Sequence, residues 1–165
     1  MARNESRSLG KDQACKIVEE CYDEVLAYCR RHAPVGYDPN DLAQETFLRF
    51  VRAKGYAERG RPIAYLMRVA RSVCVDAYRQ KRPETVALDF ELADTNLDER
   101  ETELEAALAR LPEDLREAVE LRFGSRLHVG EVAKALGISR FSARRRINAA
   151  LRMLQNDLER GDLGE

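Results

Sequence analysis

The sequence changes character between residues 84 and 105, and this change divides the chain. The segment carries nine acidic side chains against one basic side chain, and no apolar residues recur at the spacing of an amphipathic helix. Residues 1–83 carry 16 basic against 11 acidic side chains, and residues 106–165 carry 11 against 9. A segment without an apolar face cannot bury a core. We therefore predict two small domains, 1–83 and 106–165, joined by a flexible acidic linker over 84–105.

Both flanking blocks show helical periodicity, so the predicted fold class is all-α with no strand. The predicted helices cover residues 12–32, 40–54, 62–82, 102–110, 113–123, 129–136 and 139–158. Breaks are predicted at 33–40 and at 55–60, Asp38 or Asn40 can cap the second helix, and Pro83 ends the third. The apolar stripes predict buried positions on the second, third and last helices: Ala43, Phe47, Phe50, Val51; Leu66, Val69, Ala70, Val73, Ala77; Ala143, Ile147, Ala150, Leu151, Leu154.

Several classes of protein are disfavoured by the composition. No apolar run approaches the roughly 18 residues that a membrane-spanning helix needs, and the polar stretch over 1–11 does not look like a secretory signal. We therefore expect a cytoplasmic protein without membrane insertion. The cysteines are Cys15, Cys21, Cys29 and Cys74, with no CxxC pair. In a cytosolic chain we expect them to be reduced and packed, and we predict neither a metal nor a cofactor.

The segment 129–154 has the residue order of a helix-turn-helix. Val132 and Leu136 lie on one face of its first helix, where Ala133 is small enough for a close helix crossing. Gly137 can end that helix with a positive φ, and Ser139 can cap the second helix through its hydroxyl. Ile138 would fill the space between the two helices. This order of residues favours a helix-turn-helix over a plain helical hairpin.

The second helix of this motif exposes a basic face opposite its apolar stripe. The face contains Arg140, Phe141, Arg144, Arg145 and Asn148. In a helix-turn-helix the second helix lies in the major groove, where Arg can pair with guanine through two hydrogen bonds. The pattern therefore predicts DNA binding. The alternative is a helical hairpin with a solvated Arg face.

The predicted helix over 62–82 carries a second basic ridge. Its members recur at spacings of three and four: Arg68, Arg71, Ser72, Val75, Arg79 and Arg82. Such a ridge suits a phosphate backbone. Tyr56 and Tyr65 flank its start, where aromatic rings could stack on unpaired bases. The alternatives are a solvated face for the ridge and a place in the core for the two rings.

The helix that starts near residue 40 exposes a surface of a different kind. It mixes acidic, amide, aliphatic and basic side chains: Asp41, Gln44, Glu45, Leu48, Arg49 and Arg52. Such a mixture does not suit DNA but does suit a protein partner.

Together these motifs resemble the sigma-70 family of RNA polymerase sigma factors, and specifically the small extracytoplasmic-function (ECF) type. The run from Asp41 to Phe50 is similar to the polymerase-binding helix of that family, and Pro62–Arg82 is similar to its promoter-melting and −10-reading helix. Leu108–Val119 followed by the helix-turn-helix is similar to its −35-reading domain. The resemblance covers about residues 12–158.

The resemblance implies a role for each surface. Asp41, Gln44, Glu45 and Leu48 would contact the clamp helices of the largest polymerase subunit, and the flap of the polymerase would be a further contact. The side chains implied for the −10 region are Tyr56, Arg61, Tyr65, Arg68, Arg71, Ser72, Val75 and Arg79, with the loop 56–61 holding a flipped base. Arg140, Phe141, Arg144, Arg145 and Asn148 would face the −35 element. An anti-sigma factor is a further partner that the family implies.

Three other interpretations remain possible at this point. A stand-alone helix-turn-helix regulator would share the C-terminal motif but would leave the surface around Asp41 unexplained. A metal or thiol switch could use Cys29 and His32, although Cys15, Cys21, Cys29 and His32 on one helix cannot converge tetrahedrally on a single ion. An enzyme is disfavoured, since the chain has only two histidines and no phosphate-binding loop.

Overall fold

The computed structural model describes residues 10–53, 61–80 and 99–162. Regular structure within these ranges is entirely helical, which confirms the predicted all-α class. The chain divides into two compact units, Met1–Leu88 and Asp89–Glu165. They are called the N-terminal unit and the C-terminal unit below. No helix in the described ranges combines the length and the apolar character needed to cross a bilayer.

The described residues of the N-terminal unit form three helices, α1 (Lys11–His32), α2 (Pro39–Arg52) and α3 (Pro62–Gln80), and each packs against the other two. The side chains that are almost completely buried where they meet include Val25, Cys29, Thr46, Phe50, Leu66 and Met67. The hydroxyl of Thr46 donates to the carbonyl of Leu42 at 2.8 Å. The buried polar group is therefore satisfied, as a packed core requires.

Helix α2 begins through a side-chain cap. The carboxylate of Asp38 accepts a hydrogen bond from the backbone N–H of Asn40 at 2.8 Å. Pro39 occupies the first turn, where its missing N–H leaves no helical bond unmade. Of the two residues predicted as possible caps, Asp38 is therefore the one whose side chain caps α2.

Between residues 99 and 162, the described part of the C-terminal unit, there are four α-helices: α4 (Glu99–Arg110), α5 (Glu113–Val119), α6 (Val129–Leu136) and α7 (Arg140–Asp162). A π-helical turn over Glu120–Gly124 continues α5. Helix α7 packs against α4, α5 and α6. One part of the core contains Ala107, Leu111, Val119, Ala150 and Leu154. Small residues where α4 meets α7 let the two helices approach closely.

The predicted linker over 84–105 is wrong for residues 99–105, because α4 begins at Glu99. This stretch is rich in Glu, a good helix former, and acidic residues are favourable near a helix N-terminus. A helix can therefore start there without an apolar stripe of its own, and Ala107, further along the helix, is buried. Residues 84–98, the break at 55–60, and Arg82 with Pro83 lie outside the described ranges.

Two residues that were predicted to be buried are exposed. Val51 is 58% exposed on α2, and Leu151 is 40% exposed on α7. Each directly follows a buried residue of its stripe, Phe50 or Ala150. Since successive residues of a helix are about 100° apart, each falls beside the buried stripe rather than on it.

Candidate nucleic-acid interface

The turn between α6 and α7 has the geometry predicted for a helix-turn-helix. Gly137 has a φ of 65°, in the region that favours glycine. The N–H of Ile138 donates to the carbonyl of Ala133 at 3.0 Å, which closes the end of α6. The hydroxyl of Ser139 accepts from the N–H of Ser142 at 3.0 Å. The predicted roles of Gly137 and Ser139 are therefore confirmed.

The residues predicted for the −35 element stand together on one exposed face of α7. Arg140, Phe141, Arg144, Arg145 and Asn148 are all exposed, and the ring of Phe141 is 77% exposed. The opposite face of the helix is buried through Ala143, Ile147, Ala150 and Leu154. The helix is therefore anchored on one side and presents cations and an aromatic ring on the other.

One arginine of the Arg144–Arg145–Arg146 run does not belong to this face. The Nε atom of Arg146 lies 3.7 Å from a carboxylate oxygen of Asp114 on α5. Arg146 is half-buried, whereas its two neighbours are exposed. This ion pair ties α7 to α5 and separates one structural arginine from two that face solvent.

The exposed face of α7 continues beyond the predicted residues as a shallow groove of about 550 Å³. Leu151, Arg152 and Gln155 line it together with four of the predicted residues. None of these three residues was predicted to belong to this face. Leu151 was placed in the core, and the other two follow the recognised motif. Their spacing from Asn148 by three, four and seven residues was the available signal.

Arg140 lies against the first turn of α6. A Cβ atom built on Gly130 would be only 2.9 Å from Nη2 of Arg140. The guanidinium at the start of α7 is therefore packed over a residue that has no side chain.

The basic ridge predicted on α3 is less exposed than the basic face of α7. Arg68, Ser72 and Arg79 are exposed, whereas Arg71 and Val75 are half-buried. The ring of Tyr65 is also half-buried, and its centroid lies 5.9 Å from that of Phe50. Tyr65 thus packs against the core of the N-terminal unit. Arg61 is exposed just before the helix, and Tyr56 lies outside the described residues.

One exposed aromatic residue on α3 was not predicted. Tyr78 is 68% exposed, three residues after Val75 and next to Arg79. Its spacing of seven residues from Arg71 and of three from Val75 was the available signal.

The surface predicted for a protein partner lies on α2. Asp41, Gln44 and Leu48 are exposed along one side, and Val51 extends the same side by another turn. Leu48 and Val51 are 46% and 58% exposed, so this side carries a small apolar patch between polar residues. Glu45 is half-buried.

Arg49, which was predicted to be exposed with these residues, has a structural role. Its guanidinium contacts Glu45 and Asp76 at 2.9 Å each, which joins α2 to α3. Hydrogen bonds to Glu45 and Asp76 raise the pKa of Arg49 above its usual value. Glu45 is thereby held in place beside the exposed residues of α2.

The cysteines are packed inside the N-terminal unit, apart from the exposed Cys15. A side-chain hydrogen bond with Cys74 lowers the pKa of Cys29, against the effect of burial, and Thr46 acts in the same direction as Cys74. His32 instead stacks on Tyr28 with ring centroids 4.3 Å apart. Within the described ranges no group of three or more His, Cys, Asp or Glu side chains could hold a metal ion.

Each of the two units matches the sequence model of a known family. The sequence model of Sigma-70 region 2 matches residues 17–84, and that of Sigma-70 region 4 matches residues 107–156. The first match contains the surfaces of α2 and α3, and the second contains the helix-turn-helix.

Individual relatives agree with this assignment. The chain is 32% identical over 149 residues to the RNA polymerase sigma-E factor of Streptomyces avermitilis, covering 86% of this chain and 82% of that protein. It is 28% identical over 138 residues to the ferric citrate uptake sigma factor FecI of Escherichia coli, covering 77% of this chain and 80% of that protein.

The fold is also similar to a solved structure. CnrH, in complex with the cytosolic domain of CnrY, matches with a TM-score of 0.68 at 20% identity, over 93% of this chain and 92% of that chain. The family matches and the relatives together show that the chain belongs to the sigma-70 family, in its ECF group. It is a transcription initiation factor and not an enzyme: it binds core RNA polymerase and directs it to promoters through their −10 and −35 elements.

Proposed function

We propose that the exposed face of α7 reads the −35 element. The observation that carries this proposal is that Phe141, Arg144, Arg145 and Asn148 stand clear of the core directly after the Ser139 cap. The first residues of a recognition helix are the ones that reach base edges in the major groove. Arg144 and Arg145 can each pair with guanine through two hydrogen bonds. Arg140, at the start of the helix, belongs to the same exposed face.

The ridge of α3 faces the −10 element in this proposal. Arg68 and Arg79 are exposed and supply cations for phosphates, with Arg71, Ser72 and Val75 between them. Tyr65 lies at one end of the ridge, and Arg61 precedes it. Tyr56, which precedes α3 in the sequence, completes the set. Unpaired bases stack well on aromatic rings, so the aromatic residues are assigned to the melted strand.

The exposed side of α2 binds the clamp helices of the largest polymerase subunit. Asp41, Gln44 and Leu48 line it, and the 46% exposed Leu48 gives it an apolar centre. An apolar centre with polar surroundings is the composition of protein interfaces. Glu45 lies at the edge, where Arg49 holds its carboxylate at 2.9 Å.

The acidic linker before α4 would occupy a polymerase channel that later carries RNA, a site that suits a polyanion. An anti-sigma factor would hold the free protein inactive in the cytoplasm. The Bartonella quintana sigma factor RpoE, whose solved complex contains the anti-sigma factor NepR, matches this chain with a TM-score of 0.67 at 19% identity, over 88% of this chain and 96% of that chain.

The polymerase surface is tested by core binding. The double variant Asp41→Ala, Gln44→Ala should weaken binding to core RNA polymerase by about tenfold or more, if these residues lie at the centre of the interface. A double variant on α1, Gln13→Ala with Glu19→Ala, removes one amide and one acid from exposed positions and serves as the control. Equal core affinity of the two double variants would contradict the assignment of α2.

The promoter roles are tested by transcription. The chain is combined with core polymerase and genomic DNA fragments, and run-off transcripts are mapped. Shared −35 and −10 sequences upstream of the start sites are expected. A chain that binds core polymerase but yields no transcripts above core alone would contradict the assigned promoter contacts.

A further inference from the structure

Gly130 lies in the first turn of α6, next to the end of the Arg140 side chain. A Cβ atom at position 130 would lie 2.9 Å from Nη2, 3.2 Å from Nε and 3.3 Å from Cζ of Arg140. Real Cβ atoms essentially never approach another heavy atom closer than 3.0 Å. The guanidinium therefore occupies space that any other residue at 130 would fill.

The backbone gives no other reason for glycine at this position. The described glycines with positive φ are Gly36 and Gly137, so Gly130 has a conformation that any residue can adopt. Glycine is also a poorer helix former than alanine. Space for the Arg140 side chain is thus the feature of this structure that requires a glycine here.

We propose that Gly130 is a positioning residue for Arg140, and that together they direct this guanidinium to a DNA phosphate at the edge of the major groove. The first helix of a helix-turn-helix crosses the sugar–phosphate backbone. A cation held against the first turn of that helix is therefore beside phosphates, not base edges. Within the described part of the chain, no ion pair or hydrogen bond engages Arg140. Its donors are available to a phosphate.

This proposal divides the basic face of α7 into two parts and rests on the proposed −35 binding. Arg140 sets the register of the helix on the backbone and carries no sequence preference. Arg144 and Arg145, one turn further along, read the bases.

The variant Gly130→Ala tests the positioning role. The atoms that the new methyl group would meet are the far end of a flexible side chain, so Arg140 can move while the fold stays intact. Gly161→Ala is the matched control, because Gly161 is also helical and a Cβ there meets nothing within 4 Å. Both changes improve helix propensity, and only the first displaces a guanidinium.

The measurement uses wild-type and variant chains assembled with core RNA polymerase. A duplex is first enriched from a random-sequence pool by the wild-type holoenzyme. Its affinity for each holoenzyme is then measured over a range of salt concentrations, alongside the thermal midpoint of each free chain. A set of duplexes with single changes in the −35 element reports base preference.

Gly130→Ala is expected to lower duplex affinity about 3- to 10-fold, the size of one lost hydrogen-bonded contact. The slope of log affinity against log salt should fall in magnitude by about 1, as for one lost phosphate contact. The order of preference among the changed duplexes should stay the same, and the thermal midpoint should be equal or higher. Arg140→Ala should reproduce the loss, and the double variant should lose no more than Arg140→Ala alone.

Several outcomes would overturn the proposal. If Gly130→Ala matches Gly161→Ala in affinity and salt slope, Gly130 does not position Arg140. If the losses of Gly130→Ala and Arg140→Ala add in the double variant, Gly130 acts independently of the guanidinium. If Arg140→Ala changes the order of base preference, Arg140 reads a base. If the wild-type holoenzyme enriches no duplex, the proposed −35 recognition itself fails, and this result is distinct from the other three.

Discussion

The two helices assigned to DNA differ in how much of their basic face is free. On α7 the exposed face of the first two turns is free, with Phe141 77% exposed and with Arg144 and Arg145 in solvent. On α3 the corresponding face is only partly free, because Arg71 is half-buried and Tyr65 packs against Phe50.

This difference has an energetic consequence. The exposed side chains Phe141, Arg144 and Arg145 of α7 can be changed with little effect on stability, because little of their surface is buried. The side chains of α3 serve both packing and recognition. Changes on α3 should therefore affect stability and DNA binding together, and changes on α7 should affect DNA binding alone.

The largest expected effect separates two leucines that were both predicted to be buried. Leu66 on α3 is fully buried, whereas Leu151 on α7 is 40% exposed. Leu66→Ala should lower the free energy of unfolding by about 3 kcal/mol through the lost contacts and the cavity. Leu151→Ala should lower it by less than about 1 kcal/mol. Urea denaturation measures both, and equal losses would contradict the contrast between the two helices.

The next effect concerns two arginines. Arg144→Ala should weaken promoter binding by about 1–3 kcal/mol and relax the base preference at one −35 position, with the thermal midpoint unchanged. Arg71→Ala should weaken binding and also lower the thermal midpoint, because its half-buried stem packs on neighbouring residues.

Binding of these variants is measured with promoter duplexes and holoenzyme, and stability with the free chain. Arg146→Ala is the control on α7, since Arg146 pairs with Asp114 at 3.7 Å. It should leave base preference unchanged. Wild-type base preference in Arg144→Ala would refute its assigned role.

A smaller effect distinguishes two serines. Ser139→Ala removes the cap of α7, where the hydroxyl accepts from Ser142 at 3.0 Å, and should lower the free energy of unfolding by about 1 kcal/mol. Ser72 lies at an exposed position inside α3. Ser72→Ala should raise the free energy of unfolding by about 0.3 kcal/mol, because alanine is the better helix former. A loss for Ser72→Ala would show that its hydroxyl stabilises the fold.

The smallest effect is a pH dependence confined to the N-terminal unit, which holds every cysteine of the chain. Burial, with Glu24 and Glu20 nearby, raises the pKa of Cys21 from 9.0 to about 11. Between these values the folded state keeps a proton that the unfolded state has lost. The free energy of unfolding therefore falls as pH rises from 9 to 11.

The charges of the exposed Glu20 and the half-buried Glu24 are partly screened by solvent, so we expect this loss to be about 1 kcal/mol. Cys21→Ala should reduce the decline by that amount, as measured by urea denaturation at several pH values. The same decline in wild type and variant would show that Cys21 ionises alike in the folded and unfolded states.

Much of the fold followed from local sequence signals. Helix α6 has the predicted bounds, 129–136, because the glycine at its end, Gly137, acts within one turn. Helix α4 was predicted to begin at 102 but begins at Glu99. The first residues of α4 are mostly acidic and form a helix through their intrinsic propensity. They carry no apolar periodicity from which the start of the helix could be predicted. The exposed faces of α2 and α7 also followed from the sequence, since helical periodicity sets the angle of each residue around its own axis.

What the sequence determined by itself is therefore the helix class, the Gly137 turn with its Ser139 cap, and the set of cations on the side of α7 opposite the apolar stripe. Tertiary structure alone decided which charged side chains have partners on another helix. Packing against α5 pairs Arg146 with Asp114, packing against α3 pairs Arg49 with Asp76, and Gly130 on α6 receives Arg140. The reason is physical: periodicity gives the direction of a side chain from its own helix, whereas its partners lie on another helix, brought near by the burial of the core.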